Sequence, residues 1–122
     1  MENTNELQSR KLLEFGFPSD SADLHLEFNE GTREYETKNQ PYRDLDKSKG
    51  DTTLPSWSWW KIFKILPGEI GIGYKLRLGK DCIYYGDREN YLCYYPVDED
   101  DYLTPILFIV EYLVTNKFHR FS

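Results

Sequence analysis

LPSWSWWKIFKILP, residues 54–67, holds all three tryptophans of the chain, Trp57, Trp59 and Trp60, between two prolines. Ser58, Lys61 and Lys64 recur every three residues and define one narrow polar stripe. Trp57, Trp59, Trp60, Ile62, Phe63, Ile65 and Leu66 cover the rest of the surface. An ordinary surface helix has a broader polar face. The spacing therefore predicts a short helix, starting at Ser56 or Ser58 and ending before Pro67-Gly68, buried on more than one side. Its tryptophans read first as core builders. A tryptophan left in solvent would be the first residue to suspect of function.

Downstream, Ile70, Ile72, Tyr74, Leu76 and Leu78 alternate with Gly71, Gly73, Lys75, Arg77 and Gly79. Strict alternation predicts one half-buried strand. Gly79-Lys80-Asp81 turns it, Cys82–Tyr85 forms a second strand, and Tyr91–Val97 a third, giving an antiparallel meander. The register of the second hairpin decides whether Cys82 and Cys93 share a face. Pairing Tyr85 with Asn90 makes them neighbours; pairing it with Tyr91 separates them. Two separate, buried, reduced thiols are expected. Thr104 and Pro105 then suit the cap and first position of a last helix, which Asn116 ends.

Upstream, residues 4–15 read as a helix capped by Thr4 or Asn5 and closed by Gly16. Pro18 and the Ser19/Asp20/Ser21 cluster suggest a further short helical turn. Leu24, Leu26 and Phe28 alternate as a short strand that Thr32–Thr37 could pair with, and residues 38–53 read as a polar loop. The expected fold is α+β: a small antiparallel three-stranded sheet packed by helices, in the order α-β-β-β-α. It comprises an α-rich N-terminal arm over residues 1–53 and a core over residues 54–122, together one compact domain.

The 122 residues suffice for a core without staples. The net charge is −6, with 12 acids and 7 bases before residue 54 and 9 acids and 8 bases after it. An acidic balance disfavours binding that neutralises phosphates or anionic membranes, so neither nucleic acid nor membrane is expected as a partner. The helix–three strands–helix order is also that of double-stranded-RNA-binding domains. Those place lysines where this chain has Asp98–Asp101, so the electrostatics are inverted. No secretory leader pattern follows Met1, and the apolar run Pro105–Val114 is short beside the ~20 residues of a membrane span. A cytoplasmic protein is expected.

Several chemistries fail on spacing. Gly71-Ile72-Gly73 lacks the third glycine and following helix of a dinucleotide loop. His25, Cys82, Cys93 and His119 lack metal-knuckle spacing. Cys82 or Cys93 with His119 could make a nucleophile and base, but both cysteines lie in strands among aromatics, where thiols are usually inert. No catalytic residue, metal or cofactor is assigned. Two candidate surfaces stand out. The run Asp98, Glu99, Asp100 and Asp101 favours the positive end of the next helix and could dock a basic partner. Trp59, Tyr84 and Tyr94 could line an aromatic pocket for a flat, nucleotide-like molecule.

The segments SRKLLEFGFPSDSADL and LPSWSWWKIFKILPGEI, with the final apolar helix, resemble small uncharacterised proteins of Bacteroides genomes and their phages or mobile elements. Pro55-Ser56-Trp57-Ser58 and Leu66-Pro67 match that pattern. Trp59-Trp60 depart from it, standing where small or aliphatic residues are usual. The resemblance implies a bacterial, cytoplasmic accessory protein and carries over no site residues. The function expected is a noncatalytic interaction protein with an unidentified protein partner. The alternatives are a binder of small aromatic ligands and, least favoured, an enzyme. The narrow polar stripes of the two apolar helices are compatible with a homodimer.

Overall fold

Asn5 starts the first helix, α1 (Glu6–Glu14), through a capping box. Its side chain accepts from the Gln8 backbone N–H at 2.9 Å, and the Gln8 side chain accepts from the Asn5 N–H at 3.0 Å. Gly16, at φ 97°, ends the helix in the left-handed region where a side chain would be strained. The computed structural model describes residues 2–45, 52–87, 90–98 and 101–121. The fold is α+β, with antiparallel sheets of three and four strands. The chain gathers into two compact units: Asn3–Lys61 with Phe121, and Ile62–Arg120 with Glu2.

In the first unit, a short 3-10 turn at Ser19–Ser21 leads into β1 (Leu24–Asn29), the central strand of a sheet. Asn29 turns the chain by accepting from the Gly31 N–H at 2.9 Å, and β2 (Glu34–Lys38) pairs back. On its other side β1 pairs with β3 (Thr53–Ser56), placing Leu26 opposite Leu54 and His25 opposite Pro55. The N-terminal arm is thus not the α-rich segment the sequence predicts. The missed strand is four residues long and contains a proline, so it carries neither the length nor the alternation that mark strands. An edge position tolerates Pro55 because no partner needs its N–H there.

Beside β3, a buried hydroxyl cluster ties the chain's start to its middle. Thr4 Oγ1 lies 2.7 Å from Ser9 Oγ and accepts from the Trp57 N–H at 3.0 Å. The Thr4 N–H donates to the Trp57 carbonyl at 2.9 Å, and Ser56 Oγ donates to the Thr4 carbonyl at 2.7 Å. Ser58 donates to both Asp23 oxygens, from its backbone at 2.9 Å and its hydroxyl at 2.6 Å. Trp57 is fully buried, edge-on to Phe17 at 5.7 Å, with its indole N–H donating to Ser21 Oγ at 3.0 Å.

Trp57 therefore precedes the second helix, α2 (Trp59–Ile65), and of the two starts expected it is Ser58, next to Trp59, that caps it and not Ser56. Ser58 is not the top of an outward polar stripe. It is buried, and its hydroxyl also accepts from the Lys61 N–H at 3.3 Å. The aspartate from β1's leading edge outcompetes solvent for that hydroxyl. The tryptophans divide: Trp57 is core, Trp59 is half-buried and packs edge-on to Trp60 at 5.3 Å, and Trp60 is 40% exposed.

In the second unit the predicted strand 70–78 is a hairpin. β4 (Glu69–Ile70) and β5 (Tyr74–Leu78) flank a turn in which Gly71 and Gly73 take φ 58° and 84°. The alternating glycines are turn residues in left-handed backbone, not pleat positions. With β6 (Cys82–Gly86) and β7 (Tyr91–Pro96) the sheet has four strands, ordered β4-β5-β6-β7, where three were expected. The third helix, α3 (Leu103–Thr115), packs on β6 and β7. Ile83, Tyr85 and Cys93 are buried on the sheet, and Ile106, Ile109, Val110 and Leu113 on the helix. Among the described residues no helix is long and apolar enough to cross a membrane.

Candidate functional site

Strand alternation sends β6 side chains to two faces. Ile83 and Tyr85 are fully buried, whereas Cys82, Tyr84 and Gly86 belong to the opposite face. Tyr84 pairs across to Arg77 on β5 and to Tyr94 on β7, so one row reads Arg77–Tyr84–Tyr94. Gly86 pairs with Lys75 and Tyr91, so the neighbouring row reads Lys75–Gly86–Tyr91. Lys75, Arg77, Tyr91 and Tyr94 are all exposed.

The three tyrosines form one cluster. The ring centroids of Tyr84 and Tyr91 are 4.9 Å apart and edge-on; those of Tyr84 and Tyr94 are 6.3 Å apart and stacked; those of Tyr91 and Tyr94 are 5.4 Å apart. Tyr91 joins because the register shifts by one residue between Tyr85 and Gly86, a bulge that re-aims its ring. Gly86 makes the space. A Cβ there would lie 2.8 Å from the Asn90 carbonyl oxygen and 3.2 Å from the rings of Tyr84 and Tyr91. The cluster remains wet: Tyr91 is 63% exposed and Tyr94 48%.

The hydroxyl of Tyr94 has its pKa raised, first by the neighbouring Cys82 side chain, then by desolvation, and least by the charges of Tyr91 and Asp81. Beside the rings, Lys75 and Arg77 form no ion pair among the described residues. Glu69, the cross-strand partner of Lys75, uses Oε1 to accept from the Gly73 N–H at 3.0 Å.

Of the residues expected to make an aromatic pocket, Tyr84 and Tyr94 are neighbours, on an open face and not in an enclosed cavity. Trp59 belongs to the other unit. Sequence reasoning missed Tyr91, because the bulge that carries it into the cluster has no sequence marker. It also missed Arg77 and Lys75, whose place beside the rings follows from the β5–β6 register. Tyr85 sits on the buried side, where burial pushes its pKa up and its hydroxyl donates to the Pro67 carbonyl at 2.6 Å.

The cysteines lie on opposite faces. Tyr85 pairs with Cys93 and Cys82 with Pro96, a register three residues beyond the Tyr85–Asn90 pairing and two beyond the Tyr85–Tyr91 pairing considered from sequence. Both thiols are free; Cys93 is buried and burial raises its pKa, while Cys82 is half-buried. The expectation that both are buried fails for Cys82, which sits on the open face.

The acidic run has a structural task. Asp98 and Asp101 form an isolated bridge, with the Asp101 N–H donating to the Asp98 carbonyl at 2.8 Å. Asp101 accepts from the Thr104 N–H at 3.1 Å and from its hydroxyl at 2.6 Å, so Asp101 and not Thr104 caps α3. The Thr104 hydroxyl is the main reason that the Asp101 carboxyl is held below its usual range. Glu99 and Asp100 lie outside the described residues. Asp98 and Asp101 also border a recess of about 240 Å³ walled by Tyr95, Pro96, Pro105 and Phe108. Among the described residues no group of three or more His, Cys, Asp or Glu side chains converges to hold a metal ion.

No protein family, curated protein or solved structure matches this chain.

Proposed function

We propose that this is a noncatalytic binding protein whose contact surface is the tyrosine face of the four-stranded sheet. The observation that carries the reading is the Tyr84–Tyr91–Tyr94 cluster, exposed on the side of β6 and β7 opposite α3. Large aromatics on a surface are costly to hydrate and are enriched where proteins bind. Here a bulge and a glycine are both used to bring them together, which packing alone does not require. Flat rings favour a ligand that presents flat rings of its own. The resemblance to Bacteroides and mobile-element proteins belongs to the same proposal: a small bacterial accessory factor acting by binding.

The test is amide-resolved NMR titration of the protein with a probe panel of nucleotides, short oligonucleotides, and acidic and basic peptides. The expected result is that at least one probe shifts the amides of Tyr84, Tyr91 and Tyr94 saturably. If every probe leaves them still, or if shifts fall only elsewhere, the tyrosine face is not the binding surface.

A further inference from the structure

We propose that the tyrosine face binds single-stranded nucleic acid, two consecutive nucleotides at a time. The inference rests on the reading of that face as the binding surface and names its ligand. Its basis is the repetition of one arrangement in two neighbouring rows: Arg77 with Tyr84 and Tyr94, and Lys75 with Gly86 and Tyr91. Each row carries a cation on β5 and an exposed ring on β7. Strands lie ~4.8 Å apart, so cation and ring are separated by roughly 10 Å, within the reach of one nucleotide from base to phosphate. On β5 successive residues on one face advance by about 7 Å, so Lys75 and Arg77 stand a nucleotide step of an extended strand apart, while the bulge on β7 holds the Tyr91 and Tyr94 ring centroids 5.4 Å apart.

Each part then has a task. The exposed rings of Tyr91 and Tyr94 offer platforms for bases, a contact that tolerates any sequence because every base has a flat face. Arg77 and Lys75, free of ion pairs among the described residues, meet phosphates. Gly86 leaves the middle of the second row without a side chain, so the ring edges of Tyr84 and Tyr91 occupy it. Bases stacked inside a duplex cannot reach these rings, so double-stranded substrates are excluded. The net charge of −6 argues against a protein that covers many phosphates with basic surface. It does not oppose a short contact in which stacking supplies most of the affinity and two cations supply the rest.

The experiment uses the full chain and fluorescently labelled hexathymidylate and hexauridylate, read by anisotropy over a range of salt, with a duplex, thymidine monophosphate and a glutamate–tyrosine peptide as comparison arms. Binding of at least one hexamer is expected, with a salt slope of about −1.4 for two phosphates. Tyr91→Ala with Tyr94→Ala should weaken it tenfold or more, given about 1–3 kcal/mol for each stacked base. Tyr91→Phe with Tyr94→Phe should restore it, since the ring and not the hydroxyl makes the contact. Lys75→Ala with Arg77→Ala should flatten the salt slope. A dispersed NMR spectrum of each variant reports that it folds. The proposal is overturned if neither hexamer binds, if the double alanine variant binds unchanged, or if the duplex or the monophosphate binds as tightly as the hexamers. If the acidic peptide shifts Tyr91 and Tyr94 while the hexamers do not, nucleic acid is ruled out and the tyrosine face stands as a protein-binding surface.

Discussion

Asp101 shows how much one side chain can decide. Two hydrogen bonds from Thr104 favour its carboxylate form and hold its pKa below the usual range. A depressed folded-state pKa means that the stabilisation is complete above the unfolded-state value and fades as pH falls through the folded-state one. Asp101→Asn keeps a side chain that can cap the helix and removes the titration. Urea unfolding of the two proteins across the acid range should therefore show the wild type losing stability relative to Asp101→Asn as pH drops. Parallel curves would mean that the carboxylate does not matter. The same position explains why the acidic run was hard to read. A cluster of acids before a helix is visible in sequence, but which one caps depends on the turn that Asp98 closes. Trp57 and Trp60 are equally ambiguous in sequence: three positions apart in one greasy stretch, one is fully buried and the other 40% exposed. The difference arises because Trp57 lies between β3 and α2, packed against Phe17 and outside the helical period.

The β6–β7 hairpin makes a sharper demand on sequence than either helix. Gly86→Ala places a methyl group 2.8 Å from the Asn90 carbonyl, which is backbone and cannot step aside cheaply. The substitution should cost about 1–3 kcal/mol, as overpacking does, and should move the Tyr91 ring. Thermal unfolding measures the first effect and aromatic NMR shifts the second; an unchanged Tyr91 environment would mean that Gly86 does not shape the cluster. The start of α1 and the C-terminal ends of α1 and α3 were legible, unlike the cap of α3. The Asn5 cap, Gly16 and the Asn116 terminus are local devices, and each is used as the sequence implies. Strands were read less well. The glycines of residues 70–78 fit an alternating pattern while their backbone makes a turn, because periodicity counts apolar residues and is blind to φ. β3 gave no pattern at all, since four residues with a proline are below what alternation can register.

Across the whole molecule, each sheet has interior strands paired on both sides and edge strands that are not. β1 lies between β2 and β3; in the four-stranded sheet β5 lies between the two-residue β4 and β6, and β6 between β5 and β7. Native-state hydrogen exchange should be slowest at β1, β6 and the buried face of α3, and fastest at β2 and the two-residue β4. If β2 exchanged as slowly as β1, the sheet order would be wrong. Composition had already specified an aromatic, acidic chain able to bury a core, and local pattern had specified three helices, the β1–β2 hairpin and the meander. These depend on interactions between residues close in sequence, such as caps, turns and alternation, so the chain displays them directly. The second sheet partner of β1, the separation of Cys82 from Cys93 and the tyrosine cluster depend on register, where a shift of one residue exchanges the two faces of a strand. No local feature marks that choice; the packing of Ile83, Tyr85 and Cys93 on the buried face makes it and thereby sends Tyr84 and Tyr94 to the other, where the bulge at Gly86 brings Tyr91 to join them.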